Sequence, residues 1–311
     1  MRVSVVFGAG GFIGSNLVNK LKKLGHYVYG IDRHYPYFLK SNADTFIIND
    51  NCNIDTIYNQ ITHSIDEVYQ LSTDLGASFN NTNICRDADI FTNNLLINIS
   101  VLKFCVKYSA KKVFFSSSAW VYPNNSQGKE DDILEYKPLN EYGWEKIFSE
   151  HLYKLYEKQY NIKIYIGRIF NLYGPNQIFN DSRARFVPSM CKKIILAKNG
   201  DTITVFGNGK QEMGFLFIDD CINSIITLIN SDINYPINIG TNKLYNINTI
   251  VSKLIKYSNK DLIIINTSTD EEIIKKNCDI TLSKTVFDID TYIDIDIGLQ
   301  ITYNWILSYL E

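Results

Sequence analysis

The sequence predicts an α/β fold, a Rossmann-type doubly wound parallel sheet with a smaller C-terminal lobe. Three observations predict it. Short apolar runs alternate with helical periodicity through the first half, a glycine-rich turn separates the first run from the first helix, and an acid closes the second run. Such alternation implies parallel strands joined by crossover helices.

Residues 2–7 read as the first strand, 13–24 as a helix and 27–31 as the second strand. Residues 67–71 and 112–116 are further strands, 89–107 and 141–159 long helices, and 162–168 closes the series. Beyond Tyr173-Gly174-Pro175 the rhythm loosens. There 183–196 reads as a helix, 203–206 as a short strand and 215–230 as a strand leading into a helix. A strand at 236–240 and helices at 246–257 and 300–310 complete the chain. Residues 1–172 are expected to form a dinucleotide-binding domain and 173–311 mainly a substrate lobe, with segments near 205–240 returning to the first domain. No internal repeat or low-complexity linker divides the two.

At 311 residues with 45% hydrophobic content, the chain can bury a sizeable core. A net charge of −2 argues against a nucleic-acid surface. The six cysteines form no CxxC pair, which suits reduced thiols rather than a disulfide framework. The four histidines show no metal-ligand spacing. The apolar run 3–7 is too short for a signal peptide or a membrane span. A soluble, cytoplasmic chain is expected, with no membrane partner.

Gly8-Ala9-Gly10-Gly11-Phe12-Ile13-Gly14 lies between a strand and a helix. Glycine permits the tight turn and lets backbone N–H groups approach a pyrophosphate, while the helix N-terminus supplies partial positive charge. Asp32 ends the second strand, where a carboxylate accepts both hydroxyls of an adenine ribose. It repels a 2′-phosphate, so NAD is favoured over NADP, although neighbouring Arg33 weakens the inference. Asp50, after the third strand, is placed to meet the adenine amino group.

Tyr142 and Lys146 are four residues apart and share a helix face. A free tyrosine has a pKa of ~10, too high for a base at neutral pH. A charge about 4 Å away is worth ~4 kcal/mol at an effective dielectric of 20, at most roughly three pKa units. Tyr142 is therefore expected to exchange a proton with a sugar hydroxyl while a nicotinamide carries the hydride. Ser118 steadies the same oxygen. A solvated helix face is the competing account of the pair. His151 reads as a surface residue, and Tyr35-Pro36-Tyr37-Phe38 as local packing near the adenine end.

These motifs resemble the extended short-chain dehydrogenase/reductase family that remodels nucleotide sugars, and within it the GDP-mannose 3,5-epimerase branch. The resemblance runs through Ser117-Ser118-Ala119-Trp120-Val121-Tyr122-Pro123, Tyr142-Gly143-Trp144-Glu145-Lys146 and Gly167-Arg168-Ile169-Phe170-Asn171-Leu172-Tyr173-Gly174-Pro175. It continues through Val205-Phe206-Gly207-Asn208-Gly209 and Phe217-Ile218-Asp219-Asp220 to the C-terminus. It implies NAD held by Gly8, Gly11, Phe12, Ile13, Gly14, Asp32, Asp50, Leu71, Ser116, Phe170, Tyr142 and Lys146. It also implies a GDP- or UDP-linked sugar lined by Gly76, Ser118, Asn171, Arg185, Gln211 and Lys276, and a homodimer paired through the two long helices.

The pattern also departs from that branch. Trp120 stands where its acid/base cysteine is expected, and Arg185 where its lysine is expected. Indole carries no useful catalytic proton, and arginine stays charged. Losing a general acid or base costs ~10²–10⁴-fold, so 3,5-epimerisation lacks its machinery. Ala119-Trp120 also lacks the Asp-Glu pair of the family's dehydratases. Met213 and Lys276 stand where phosphate-binding arginines are expected, with Lys210, Arg183 or Arg185 as compensating charges. Trp120 either fills the core behind the strand end or walls the pocket. The leading expectation is an NAD-dependent nucleotide-sugar epimerase acting through oxidation at C4. A 4-reductase or C4 dehydrogenase is the alternative within the family, and an NAD-binding regulatory protein without turnover the alternative outside it.

Overall fold

The computed structural model describes residues 1–75, 86–131, 137–138, 140–268 and 275–311. The first half runs β1 (Val3–Phe7), α1 (Phe12–Lys23), β2 (Tyr27–Asp32), β3 (Thr45–Ile48), β4 (Glu67–Gln70), α2 (Asp87–Lys107), β5 (Lys112–Ser118), α3 (Glu141–Tyr160) and β6 (Lys163–Ile169). The second half follows with β7 (Leu172–Tyr173), α4 (Phe186–Leu196), β8 (Thr202–Val205), β9 (Glu212–Gly214), β10 (Leu216–Phe217) and α5 (Ile218–Ile229). It ends with β11 (Ile237–Ile239), β12 (Leu244–Asn246), α6 (Ile247–Ser258), β13 (Ile263–Asn266), β14 (Lys275–Lys276) and α7 (Ile295–Leu310).

Seven strands form one sheet in the order β11-β6-β5-β4-β1-β2-β3, and every pairing in it is parallel. All five residues of β1 are buried, as expected of a strand covered on both faces. On one face α2 and α3 cover Val5, Phe7, Val113 and Phe115 with Val101, Phe104 and Tyr153. On the other, Leu17 and Leu21 of α1 and Ile225 and Leu228 of α5 meet Val6 and Phe114, and that core continues into α4, α6 and α7. Small sheets, β12-β9-β14 and β13-β8, complete the C-terminal lobe. By length and composition α2 could cross a membrane. It packs instead as a core helix, with Asn94 and Asn98 both 1% exposed.

Two helix starts differ from the sequence reading by three residues or more. Helix α4 starts at Phe186 rather than at 183, because Arg183 closes a turn on Asp181 through its N–H (2.8 Å) and its guanidinium. Pro188 then falls in the first turn, where its missing N–H costs nothing. Helix α7 starts at Ile295, five residues before 300, capped by the Asp294 side chain. Gly298 within it is required by packing: a Cβ there would lie 2.2 Å from the Tyr173 hydroxyl.

Helix α3 is fastened by a buried ion pair. Arg168 on β6, 1% exposed, meets Glu150 through Nε (2.9 Å) and Nη2 (2.8 Å) and donates to the Tyr122 hydroxyl and the Glu130 carbonyl. Ser117 on β5 donates to the same carboxylate at 2.5 Å. Burial alone would lower the Arg168 pKa, but Glu150 outweighs it and holds the guanidinium above its ordinary value. Replacing Arg168 by Leu strands the carboxylate and is expected to cost about 3–5 kcal/mol. Urea unfolding measures it, and a loss below ~1 kcal/mol would rank the pair with exposed ones.

Candidate active site

A cleft of about 950 Å³ opens beyond the carboxyl ends of the strands. It lies where the order reverses between β1 and β4, the expected place for a ligand in such a sheet. It runs from Asp32 past the glycine turn to Ser118, Trp120 and Tyr142, and on to Asn171, Arg185 and Met213.

The glycine turn is built by missing side chains. Gly8 has φ +85°, and a Cβ there would meet Ser72 N at 2.8 Å. At Gly10 it would lie 2.2 Å from the His34 carbonyl oxygen, and at Gly14 2.0 Å from that of Gly8. Gly11 caps α1 without a side chain, and the first turn carries no acid, so nothing negative competes for its N–H groups. Phe12 and Ile13 line the cleft beside it. Asp32, 7% exposed, accepts the Gly10 N–H at 2.9 Å and the His34 N–H at 3.2 Å. Leu71, Ser116 and Phe170 line the middle of the cleft, with the Ser116 hydroxyl donated to the Gln70 carbonyl (3.0 Å). Asp50 lies at the adenine end, where it accepts the Cys52 N–H at 3.2 Å. The Cys52 thiol is pushed up to about 11, first by burial and then by Asp50. A cradle with no room for Cβ atoms, a helix N-terminus and a strand-end carboxylate together fit a dinucleotide.

Helix α3 brings the reacting groups to the cleft. Asn140 caps it by accepting the Gly143 N–H at 2.9 Å. Tyr142, half-buried in the first turn, faces the cleft. Lys146, one turn later and 2% exposed, sets its Nζ 5.3 Å from the centre of the Tyr142 ring and 5.0 Å from that of Phe115. Burial alone would lower the Lys146 pKa, but Glu145, Tyr142 and Glu150 outweigh it and raise it. Ser118, 9% exposed, accepts the Trp120 N–H at 3.3 Å, which leaves its own proton to give. Gly143 lets α3 rest on this turn: a Cβ there would lie 2.2 Å from the Trp120 carbonyl oxygen.

The groups expected around the sugar divide. Asn171 lines the cleft and donates to the Gly214 carbonyl at 3.1 Å. Arg185 lines it near Tyr142, with burial drawing its pKa down and Tyr142 opposing. Gln211 is not among the lining residues; its carbonyl accepts the first N–H of α6. Gly76 lies outside the described residues. Lys276 stands opposite Met213 in the β14–β9 register, its Nζ 3.4 Å from the centre of the Trp120 ring. Burial lowers its pKa to about 8, while the indole face favours the charged form. Sequence reasoning passed over Gln70, Asn98 and Glu145, which meet beneath Lys146. The only signal was an acid directly before the lysine.

Gly14→Ala is expected to force the turn open and abolish retention of NAD by the purified protein. Absorbance of the supernatant after acid precipitation reads this out. Full retention would show that the turn yields without loss of the site.

The model of the NAD dependent epimerase/dehydratase family matches residues 4–240. GDP-mannose 3,5-epimerase 1 of Oryza sativa subsp. indica is 30% identical, over 100% of this chain and 83% of its own length. The structure of UDP-glucuronic acid 4-epimerase from Bacillus cereus, in complex with UDP-glucuronic acid and NAD, is 28% identical, with a TM-score of 0.83 over 100% of both chains. UDP-glucose 4-epimerase of Thermotoga maritima shares the fold at 22% identity, with a TM-score of 0.85 over 100% of both chains. With a family model matched from β1 into the last strand of the sheet, and a relative 30% identical along the whole chain, the protein belongs to the NAD-dependent epimerase/dehydratase family.

Proposed function

We propose that this enzyme inverts C4 of a GDP- or UDP-linked sugar through a transient 4-keto sugar. The observation that carries the reading is the composition of the cleft at its sugar end. Tyr142 and Ser118 line it with Lys146 behind Tyr142, while Trp120 and Arg185, which also line it, are not side chains that can serve as a second proton-transfer pair. The Bacillus cereus relative, a 4-epimerase by name, supports C4 as the centre.

NAD, bound along the glycine turn, would supply the hydride acceptor and return the hydride after the sugar turns over. Gly8, Gly11 and Gly14 give it close backbone approach, and Asp32 would take the adenine ribose. Tyr142 takes the proton from the C4 hydroxyl and returns it to the same oxygen once the sugar has presented its opposite face. Lys146, fixed and charged, stabilises the phenolate that Tyr142 must be before it takes the proton and again after it returns it. Ser118 donates to the same sugar oxygen and keeps it in line. Asn171 and Arg185 supply polar contacts for the sugar and first phosphate, with Lys276 further along. Phe170 and Leu71 exclude water from the reacting carbon.

Tyr142→Phe is expected to lower interconversion of UDP-glucuronic acid, UDP-glucose or GDP-mannose with its C4 epimer by at least ~10²-fold. An unchanged rate removes the tyrosine from the reaction. In deuterated water the wild-type product is expected to carry no deuterium at C3 or C5. Incorporation there would require a second proton-transfer group and overturn the C4-only reading. Net consumption of NADH with a 4-keto sugar would make the enzyme a reductase.

The same reading includes a cytoplasmic homodimer. The described thiols of Cys105, Cys191, Cys221 and Cys278 are free and buried, which suits a reducing compartment. Trp144 (40% exposed), Phe148 (52%) and Leu155 (50%) share one face of α3 as an exposed apolar stripe, and α2, which packs against α3, exposes Leu96. A second copy would cover it. Phe148→Lys is expected to shift the protein to monomers in sedimentation, and a monomeric wild type would end this part of the reading.

A further inference from the structure

Beneath the reacting pair lies a buried polar chain that the C4 reaction does not itself require. Gln70, at the end of β4, accepts the Ser72 N–H (3.3 Å) and donates to the Ser72 carbonyl (3.1 Å), fixing the loop that faces Gly8. It also donates to Asn98 Oδ1 on α2 at 3.1 Å, an oxygen that Tyr153 meets at 3.3 Å. Asn98 Nδ2 in turn donates to Glu145 Oε1 at 3.1 Å, and Ser149 donates to the same atom at 2.7 Å. Gln70, Asn98, Glu145, Ser149 and Tyr153 are all at most 1% exposed.

The two oxygens of Glu145 are treated unequally. Oε1 takes both donors, whereas Oε2 is buried without a hydrogen-bond partner. Oε2 faces Lys146 Nζ at 3.7 Å. That distance is too long for a hydrogen bond, so the contact is between charges. A carboxylate fully removed from water costs several kcal/mol unless a cation balances it, and Lys146 is equally buried.

We propose that Glu145 is a positioning residue for Lys146: clamped by Asn98 and Ser149, it keeps the ammonium charged and in place beneath Tyr142, and through Gln70 it ties that charge to the loop against the glycine turn. The proposal rests on the reading of Lys146 as the group that stabilises the Tyr142 phenolate. Other groups near Lys146 do not substitute for Glu145. Glu150 is committed to Arg168 on β6 and Ser117 on β5. Strand β5 presents the uncharged Phe115 ring, α2 presents Asn98 and the buried Cys105 thiol near Tyr153, and Arg185 at the start of α4 adds positive charge beside Tyr142. With Glu145 neutral, the buried ammonium loses its largest opposing charge, leaving Tyr142 and the more distant Glu150, and the balance shifts toward the uncharged amine.

The test is a titration of Lys146 in the NAD-bound protein, labelled with ¹³C at lysine Cε and assigned by the signal missing from Lys146→Met. In the wild type the Lys146 signal is expected to keep its charged position beyond the pH at which an ordinary lysine titrates. In Glu145→Gln it is expected to titrate lower by roughly one unit or more. Identical titration in the two proteins overturns the proposal and leaves Glu145 a packing group between α2 and α3. Should Glu145→Gln lack a cooperative melting transition, Glu145→Asp supplies the same reading. It keeps the charge but withdraws it by one methylene, so a smaller downward shift is expected, and no shift overturns the proposal. Failure of the Tyr142→Phe experiment would remove the sugar chemistry without touching this titration, so the two ideas fall separately.

Discussion

The seating of α3 on the sheet is the constraint on which the site depends. Tyr142 and Lys146 have meaning only if their helix lies at a fixed height above the carboxyl ends of β5 and β6. Arg168 on β6 and Ser117 on β5 both reach Glu150, so a single carboxylate joins the helix to two strands. An apolar contact at that position would hold the helix equally close but leave it freer to slide. A two-pronged guanidinium–carboxylate contact has directional geometry, which apolar packing lacks.

Three buried cations around the site differ in what accompanies them. Arg168 has a carboxylate, a phenol and a carbonyl. Lys146 has Glu145 alongside and aromatic faces around it. Lys276 rests on the Trp120 ring, and burial alone governs its lowered pKa. The first fastens α3; in the proposed reaction the second stabilises the Tyr142 phenolate, and the third would meet an anion such as a diphosphate. Unequal compensation sets three similar charges apart.

Much of this was legible in the chain, for identifiable reasons. The central strands are apolar on both faces, so 2–7, 112–116 and 162–168 stood out without any partner in view, and the glycines near residue 8 announced a turn between strand and helix. The C-terminal lobe was harder to read. Its strands, such as Glu212–Gly214 and Lys275–Lys276, are two or three residues long and too short to show a period. The start of α4 was hidden because Arg183 folds back on Asp181, which no periodicity reveals. The polar chain from Gln70 to Glu145 joins three elements distant in sequence, and only the packing of α2 on α3 brings them together. Lys276 was expected at a phosphate; its seat on Trp120 follows from the pairing of β14 with β9, which lies beyond the reach of composition.

The contact between Gly143 and Trp120 has a consequence for how such sites diversify. The helix bearing the phenol meets the turn bearing the serine through backbone atoms, at a spacing fixed by an absent side chain. Whatever residue 120 projects into the cleft therefore leaves that spacing alone. A thiol, an acid or an indole can be exchanged there while the oxidising pair keeps its alignment, so one member of a second proton-transfer pair can be changed without moving the first.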